Sequence, residues 1–401
     1  MAKTALRFVA GYSAIEAAWK DIYKRSRPKS RNTVGVDEVS INHFARDPKP
    51  LLRFISSEVH SEEYAFSALR PHFVLKPNGK RRLICVPTVN DRIVQRATLD
   101  FLTAKYGTRF ANPISFGFIK GRTVQDAAER ACRLREKHGW AFKTDISTFF
   151  DSVDRRLLHA RITHAIRHRS LHRLLIAASN CEIDPPGKGA QKKHLAVLGI
   201  KVGVGIRQGM PLSPFFANLF LEPFDGEILR AGFNAVRYAD DLVFFADSKE
   251  QCETIEAFCK ESLHSLNLTI PDTGPNSKSE IVPPDEAIEF LGLGLRKNGV
   301  QYELVLLKAQ RDAIRTELMQ LGSISNLLSR NIRLANLGHA IESRISGYLN
   351  TYECCTNYVE LENALGGLHQ CILRRLYGKD GLGLDIGSLS SEQLSFLGLF
   401  S

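Results

Sequence analysis

Two short apolar strands meet at a pair of aspartates in the stretch Ala235-Val236-Arg237-Tyr238-Ala239-Asp240-Asp241-Leu242-Val243-Phe244-Phe245. Adjacent carboxylates in an apolar hairpin repel each other, and burying them without a partner is costly. A further strand, predicted from Trp140 to Ile146, leads to Asp145. Three aspartates at strand ends are therefore the most informative feature of the sequence.

These carboxylates suit a divalent cation. Mg²⁺ prefers hard oxygen ligands and is usually held by a few carboxylates together with substrate phosphates. Two such ions about 4 Å apart would activate a 3′-hydroxyl and stabilise a leaving pyrophosphate. The competing interpretation is an Asp-Asp turn without function, and the flanking motifs decide between the two.

The composition is that of a globular, basic protein. The 401 residues are 44% apolar and 24% charged, which excludes a disordered or fibrous chain. The formal net charge is +11, and residues 1–100 contribute 18 Lys/Arg and 10 Asp/Glu, a net of +8. This positive region suits a polyanion such as nucleic acid, and an ordinary solvated surface is the alternative.

The sequence predicts a cytoplasmic protein without membrane association. No apolar run approaches the roughly 18 residues of a membrane span, and the first residues lack a signal-peptide pattern. The eight cysteines include no Cys-x-x-Cys pair. We therefore expect free thiols and neither disulfides nor a zinc site.

Capping signals predict three helices, which begin at Thr123 with Asp126, Ser213 with Pro214, and Ser248 with Gln251. The second of these is expected to end near Pro223. Ile288 to Leu295 is read as one strand interrupted by glycine, and the pattern becomes helical after about residue 305. This order predicts an α+β fold in which one antiparallel sheet is backed by helices.

Six ordered blocks resemble the reverse transcriptases, specifically the bacterial lineage related to group II intron enzymes. They are Asn78-Gly79-Lys80-Arg81-Arg82-Leu83-Ile84-Cys85-Val86-Pro87 with Asp91-Arg92-Ile93-Val94-Gln95, Ser115-Phe116-Gly117-Phe118 with Gly121-Arg122-Thr123, Asp145-Ile146-Ser147-Thr148-Phe149-Phe150-Asp151, Arg207-Gln208-Gly209-Met210-Pro211-Leu212-Ser213-Pro214, Tyr238-Ala239-Asp240-Asp241, and Lys278 followed by Phe290-Leu291-Gly292. The resemblance covers about residues 35–295. The last block stands where the family has its motif lysine and primer grip.

The resemblance implies a right-hand polymerase fold: a palm of antiparallel sheet backed by helices, with fingers and a helical thumb. It places an N-terminal extension and the fingers in residues 1–135. The palm would occupy 136–300, with a fingers-side insertion around 155–205. Residues 301–401 would form the helical thumb and a C-terminal tail.

The resemblance also assigns the metal-binding and catalytic residues. Asp145 and Asp240 would be the main metal ligands, with Asp241 the adjoining third carboxylate, and all three are the expected catalytic residues. Ile146 joins the expected metal-binding set. Two Mg²⁺ ions are the implied cofactor, with Mn²⁺ as an alternative ion.

Five further residues are expected to bind the incoming nucleotide. Arg82 matches the finger arginine that holds the triphosphate, a bidentate task suited to guanidinium, and Lys80 is a second phosphate contact. Phe150 falls where the family places its sugar-reading aromatic. Gln208 and Gly209 match the segment that packs against the nucleotide, where glycine permits close backbone approach.

We expect Phe149, the neighbour of Phe150, to point to the opposite side of an extended segment and to enter the core.

The expected function is RNA-directed DNA synthesis on an RNA template, with deoxynucleotides as substrates and DNA as product. Two departures narrow the subfamily: residues 270–330 lack the Val-Thr-Gly of retron enzymes, and Ser213-Pro214 is intact, unlike in diversity-generating enzymes. Arg207 also stands where proline is common. Only 111 residues follow Phe290 (401 − 290), which leaves little room for a maturase or nuclease segment. A stand-alone bacterial enzyme of antiphage defence, with a dedicated non-coding RNA, is the resulting expectation.

Other functions stay open. One is a mobile-element enzyme of the group II intron or retron type. Another is an RNA-directed RNA polymerase, against which Tyr238 and Phe150 argue. The third is a non-catalytic, polymerase-like RNA-binding scaffold, which loss of a palm aspartate would favour. The sequence does not decide whether the chain forms a homo-oligomer.

Overall fold

The computed structural model describes residues 4–75, 81–184, 195, 197–379 and 381–399. Two compact units emerge from the contacts between residues. The first contains residues Met1–Ala127 and Phe142–Ile281, and the second contains Ala128–Ala141 and Val282–Ser401. The expected fingers, palm and thumb boundaries stay predictions.

The elements alternate between helices and short strands along the chain. The helices are α1 (Ala5–Val9), α2 (Tyr12–Arg25), α3 (Ile41–Phe44), α4 (Pro48–His60), α5 (Val89–Tyr106), α6 (Val124–Lys137), α7 (Phe149–Ser152), α8 (Arg155–Ala165), α9 (His172–Ser179), α10 (Ser213–Ala231), α11 (Lys249–His264), α12 (Lys308–Met319), α13 (Ile324–Ser329), α14 (Leu337–Tyr352), α15 (Tyr358–Leu365), α16 (Leu368–Tyr377) and α17 (Ser391–Phe396). The strands are β1 (Arg70–Leu75), β2 (Arg81–Val86), β3 (Trp140–Asp145), β4 (Asn234–Tyr238), β5 (Asp241–Ala246), β6 (Glu280–Val282), β7 (Ile288–Phe290), β8 (Leu293–Asn298) and β9 (Gln301–Val305).

The first unit is organised by a four-stranded sheet in the order β4-β5-β3-β6, and β1 and β2 form a separate antiparallel hairpin. Phe142 of β3 and Phe244 of β5 stack with ring centroids 6.0 Å apart. Both rings are fully buried. Burial of an aromatic ring contributes about 2–3 kcal/mol, so this layer is a major source of stability.

The helix that follows Ser213 is longer than expected. It continues through Pro223 to Ala231 and ends at Gly232, whose φ of 74° is left-handed. The expected end near Pro223 is therefore wrong. A proline inside a helix costs about 3 kcal/mol, and the continuous buried stripe of Phe216, Phe220 and Phe224 offsets that cost.

The other two predicted helix starts are confirmed. The Thr123 Oγ1 accepts a bond from the Asp126 N–H at 3.1 Å, and the Asp126 Oδ2 accepts one from the Thr123 N–H at 2.7 Å. The Ser248 Oγ accepts a bond from the Gln251 N–H at 3.3 Å. These side chains satisfy backbone donors that have no partner inside the helix.

The predicted single strand from Ile288 to Leu295 is instead a hairpin of β7 and β8. Its turn lies at Leu291 and Gly292, whose φ values of 56° and 80° are both left-handed and reverse the chain. β8 also pairs with β9, so these strands form a three-stranded sheet in the second unit. The expectation of one sheet is therefore wrong, because the described residues contain three.

The second unit is otherwise helical, as expected after residue 305. Helices α12 to α16 bury a cluster of leucines and isoleucines: Leu318, Leu321, Ile341, Leu361, Ile372 and Leu376. Arg135, which belongs to this unit, is fully buried and donates to the carbonyl oxygens of Leu295, Pro283 and Glu286.

All eight cysteines are described, and each has a free thiol. Among the described residues, we find no helix with the length and apolar character needed to span a membrane.

Candidate active site

The two central aspartates lie at the tip of the β4–β5 hairpin. Tyr238 and Asp241 are partners across the two strands, which leaves Ala239 and Asp240 as the turn. Ala239 has a φ of 57°, which non-glycine residues seldom adopt. The turn therefore places adjacent carboxylates at one end of an otherwise apolar hairpin.

The sheet order brings Asp145 to the same place. β3 lies beside β5, and the backbone N–H of Ile146 donates to the carbonyl oxygen of Asp240 at 3.0 Å. Asp145, the last residue of β3, is thereby held next to the hairpin tip, with only 9% of its surface exposed. The structure thus brings together the three aspartates that the sequence singled out.

Lys278 is a cationic partner of this group. Its ammonium forms an ion pair with the Asp145 Oδ2. It precedes β6, the strand on the other side of β3 in the sheet. The sequence placed a motif lysine here by resemblance, and the structure shows which carboxylate it contacts.

The aspartate pKa values are perturbed by burial and by mutual repulsion. Desolvation, together with the negative charges of Asp240 and Asp145, raises the pKa of Asp241 to about 6, and the charges of Lys278 and Lys143 act in the opposite direction. Burial also raises the pKa of Asp240; the charge of Asp145 adds to this, whereas Lys278 and Arg82 act in the opposite direction. Concentrated negative charge of this kind is stabilised by a cation.

One carboxylate oxygen of this site is suited to bind a divalent ion. The Asp145 Oδ1 is buried and accepts no hydrogen bond from the described residues, and a buried carboxylate oxygen without a partner is costly. A metal ion would satisfy that oxygen with the hard ligand chemistry that Mg²⁺ or Mn²⁺ requires.

Within the described residues, no three acidic, histidine or cysteine side chains already converge as a closed metal cluster. Ile146 is buried and apolar, so only its backbone carbonyl oxygen could serve as a ligand.

The expected phosphate contact Arg82 lies on β2, opposite Val74 of β1, and its side chain is exposed. Its positive charge lowers the pKa of Asp240, so the guanidinium acts electrostatically on the aspartate tip. Lys80, the second expected phosphate contact, lies outside the described residues. An exposed guanidinium that acts on the half-buried Asp240 carboxylate is suited to bind a metal-bound triphosphate.

Gln208 and Gly209 lie against the strand that carries Arg82. The carbonyl oxygen of Gln208 accepts a bond from the Cys85 N–H at 2.6 Å. Gly209 has a φ of 109°, and a Cβ there would be 2.3 Å from the Cys85 carbonyl oxygen. Glycine is therefore required at this position by its close approach to the β2 backbone, and its expected contact with the nucleotide stays a prediction.

Phe150 and Phe149 differ in burial as expected, but for another reason. Both lie in the short helix α7, after Thr148 with a left-handed φ of 45°, so the expected extended segment is wrong. Phe149 is 1% exposed, whereas Phe150 is half-buried. The helix turns the two rings in different directions because successive helical residues are about 100° apart.

Sequence reasoning missed a buried polar network behind the hairpin. Arg237 of β4 pairs with Asp225 of α10, and both side chains are nearly inaccessible. The signal was an arginine between apolar strand residues, Val236 and Tyr238 on β4, but the sequence could not name its partner.

Sequence comparison defines the class of protein. Residues 74–295, more than half of the chain, match the family described as "Reverse transcriptase (RNA-dependent DNA polymerase)". The chain belongs to the reverse transcriptase family, and its fold is that of a right-hand polymerase. The family activity is RNA-directed DNA polymerisation.

Several known proteins are similar to this chain. Protein YkfC of Escherichia coli (strain K12) is 28% identical over 316 residues, which cover 68% of this chain and 78% of YkfC. The group II intron-encoded protein LtrA of Lactococcus lactis subsp. cremoris is 24% identical over 217 residues, or 53% of this chain and 33% of LtrA.

Among solved structures, a partial Cas6-RT-Cas1–Cas2 complex gives a TM-score of 0.40 at 21% identity and covers 66% of this chain and 42% of that chain. The matches thus span most of YkfC but less than half of the other two proteins.

Proposed function

We propose that this chain synthesises DNA on an RNA template, with Asp145, Asp240 and Asp241 as the catalytic carboxylates that hold two Mg²⁺ ions. The observation that carries this proposal is the buried Asp145 Oδ1, which has no partner among the described residues, beside the Asp240–Asp241 hairpin. When bound, Mg²⁺ would supply Lewis-acid activation of the attacking hydroxyl and stabilisation of the leaving pyrophosphate.

The protein's own groups would bind and orient the nucleotide. Arg82, whose charge already acts on Asp240, would hold the triphosphate. Phe150, half-buried beside the aspartate segment, would lie under the sugar and leave room for hydrogen but not hydroxyl at C2′. Gln208 and Gly209, anchored to β2, would form the wall against which the nucleotide packs.

Primer extension tests the catalytic assignment. Asp240→Asn preserves side-chain size but removes a ligand charge, so incorporation of dNTPs should fall by at least about a thousandfold, as for other essential catalytic groups. EDTA should stop the wild type equally. Wild-type rates for Asp240→Asn in Mg²⁺ would overturn the assignment, and a wild type that binds RNA but never extends a primer would favour the scaffold alternative.

We further propose that the natural partner is a dedicated non-coding RNA and that the product serves antiphage defence in the cytoplasm. The support is the net charge of +8 on residues 1–100 and the two subfamily departures in the sequence. Phosphate contacts make such binding fall steeply with salt.

Two measurements test this finer proposal. RNA copurified with the protein should come from its own locus and should bind better than random RNA at physiological salt. A plasmid-borne locus should reduce plaque counts for some phages, and Asp240→Asn should abolish that protection. Equal plaque counts for both across a diverse panel would contradict the defence role.

A mobile-element function is the second candidate, and the similarity to LtrA, a group II intron-encoded protein, favours it. Intron sequence in the copurified RNA would support the mobile-element function over the defence function.

A further inference from the structure

Arg237 is a cation placed in the interior of the first unit. Its side chain is 1% exposed, and a lone guanidinium would be very costly to bury there. Asp225 compensates its charge in a bidentate pair: Nε donates to Oδ1 and Nη2 donates to Oδ2, each at 2.6 Å. This arrangement uses two of the five N–H donors of the guanidinium.

The other three donors reach three different segments. Nη2 donates to the Ser115 Oγ at 2.8 Å, and Nη1 donates to the Asn218 Oδ1 at 3.3 Å. The last bond runs from Nη1 to the backbone carbonyl oxygen of Ala239 at 3.1 Å. Arg237 therefore ties the 115 loop and helix α10 to the carbonyl that directly precedes Asp240.

The hairpin tip needs such support. Ala239 holds a left-handed φ of 57°, and strained residues of this kind persist only where their surroundings fix them. Gly117 packs so closely that a Cβ on it would lie 2.3 Å from the Ala239 nitrogen. Beyond the turn, the Asp240 carbonyl oxygen accepts the Ile146 N–H.

The backbone is consequently held on both sides of Asp240. Arg237 fixes the carbonyl before it, and Ile146 of the β3 segment fixes the carbonyl after it. These two bonds together set the direction in which the Asp240 side chain leaves the backbone, next to Asp145.

We propose that Arg237 is a positioning residue that orients Asp240 for divalent-cation binding, an inference that rests on the proposed metal-binding role of Asp240. Arg237 itself contacts neither metal nor substrate. Groups that orient metal ligands typically change metal affinity by about 10–100-fold when altered, so the effect should be measurable in binding as well as in turnover.

Arg237→Lys is the test substitution, because lysine keeps the charge for Asp225 but cannot supply the forked donors that reach Ala239. Mn²⁺ binding to the full chain, without nucleotide or primer, should weaken by about tenfold or more. The Mg²⁺ concentration for half-maximal primer extension should rise in parallel, and high Mg²⁺ should restore part of kcat.

Arg135→Lys is the matched control. Arg135 is fully buried in the second unit and donates to the backbone carbonyl oxygens of Leu295, Pro283 and Glu286. Its substitution should lower Tm to a similar degree while Mn²⁺ affinity and Mg²⁺ dependence stay unchanged. If Arg237→Lys likewise lowers Tm but leaves Mn²⁺ affinity and Mg²⁺ dependence unchanged, the role of Arg237 is purely structural and the proposal is overturned.

If Arg237→Lys does not fold, Ser115→Ala tests the proposal instead. This substitution removes the hydroxyl that accepts a bond from Arg237 Nη2, and it changes no charge. A shift of about two- to threefold in Mn²⁺ affinity in the same direction is expected from one hydrogen bond, and no shift would overturn the proposal.

Asp240→Asn separates the hypothesis of a metal site at Asp240 from the hypothesis that Arg237 positions Asp240. If it binds Mn²⁺ like the wild type, the proposed metal site is wrong; if it loses binding and Arg237→Lys does not, only the role of Arg237 is wrong.

Discussion

Two hairpins in this protein turn in the same way but in very different surroundings. In β4–β5, partners Tyr238 and Asp241 enclose Ala239 and Asp240; in β8–β9, partners Asn298 and Gln301 enclose Gly299 and Val300. In each, the first turn residue has a positive φ, 57° for Ala239 and 64° for Gly299.

The first tip is enclosed, and the second is open. Ala239 is buried and is contacted by Arg237 and Gly117, whereas a Cβ on Gly299 would meet no atom of the described residues within 4 Å and Val300 is 90% exposed. The open hairpin uses glycine, which adopts positive φ without strain, and the enclosed one uses alanine held in place by its neighbours. Strain is thus retained where the proposed catalytic carboxylates are positioned.

Among the substitutions that test this contrast between the two hairpins, the largest effect is expected at the enclosed tip. Gly117→Ala would place a Cβ 2.3 Å from the Ala239 nitrogen, and neither backbone can move without shifting Asp240. We expect dNTP incorporation to fall by at least about a hundredfold, because displacements near 1 Å at a catalytic group have effects of this size.

Gly274→Ala is the control for this change. Gly274 belongs to the same unit, and a Cβ there would meet no atom within 4 Å in the part of the chain that the structure describes. Its activity should stay within about twofold of wild type, as for surface substitutions generally. Equal losses of dNTP incorporation in the two variants would show that the contact between Gly117 and the hairpin tip is not needed for activity.

The next-largest effects are expected in helix α7, which also has an enclosed residue, Phe149, beside a more exposed one, Phe150. Phe149→Ala removes a buried ring and should lower the free energy of unfolding by about 3–5 kcal/mol, with little change in sugar selectivity. Phe150→Ala should instead raise the kcat/KM ratio of GTP to dGTP by about ten- to a hundredfold, the rate equivalent of a steric cost of about 1–3 kcal/mol.

Steady-state kinetics on one primer–template, with thermal unfolding in parallel, measures both variants. An unchanged ratio in Phe150→Ala, or a larger change in Phe149→Ala, would show that the sugar is read by another residue.

Local signals and ordered motifs were enough to predict much of the first unit. The strand leading to Asp145, the hairpin at Asp240 and the caps at Thr123 and Ser248 depend on nearby residues, and they were found. Asp145 lies almost a hundred residues before the hairpin in the sequence, and only the resemblance indicated that the two belong to one site. What the motifs do in catalysis stays a prediction.

The failures have tertiary causes. A helix passes through Pro223 because a buried aromatic stripe outweighs the local cost of proline. The partner of Arg237 is Asp225, on a different element, and only the packing of α10 on β4 defines it. The turn at Leu291 was missed because an apolar residue there looked like part of a strand, whereas Asn298-Gly299 is a turn signal that could have revealed β9.

The smallest expected effect lies at the open tip. Gly299→Ala introduces a Cβ into free space but at a φ of 64°, so backbone strain is its single cost. That strain should lower the free energy of unfolding by about 1–2 kcal/mol, and primer extension should stay at the wild-type level. Val300→Ser, at the exposed neighbour, should change stability by less than about 0.5 kcal/mol. Chemical denaturation of both variants checks this. A loss of activity in Gly299→Ala, or a stability loss in Val300→Ser as large as in Gly299→Ala, would mean that the second tip is not open in solution. The contrast between the two hairpins would then have to be explained by something other than their surroundings.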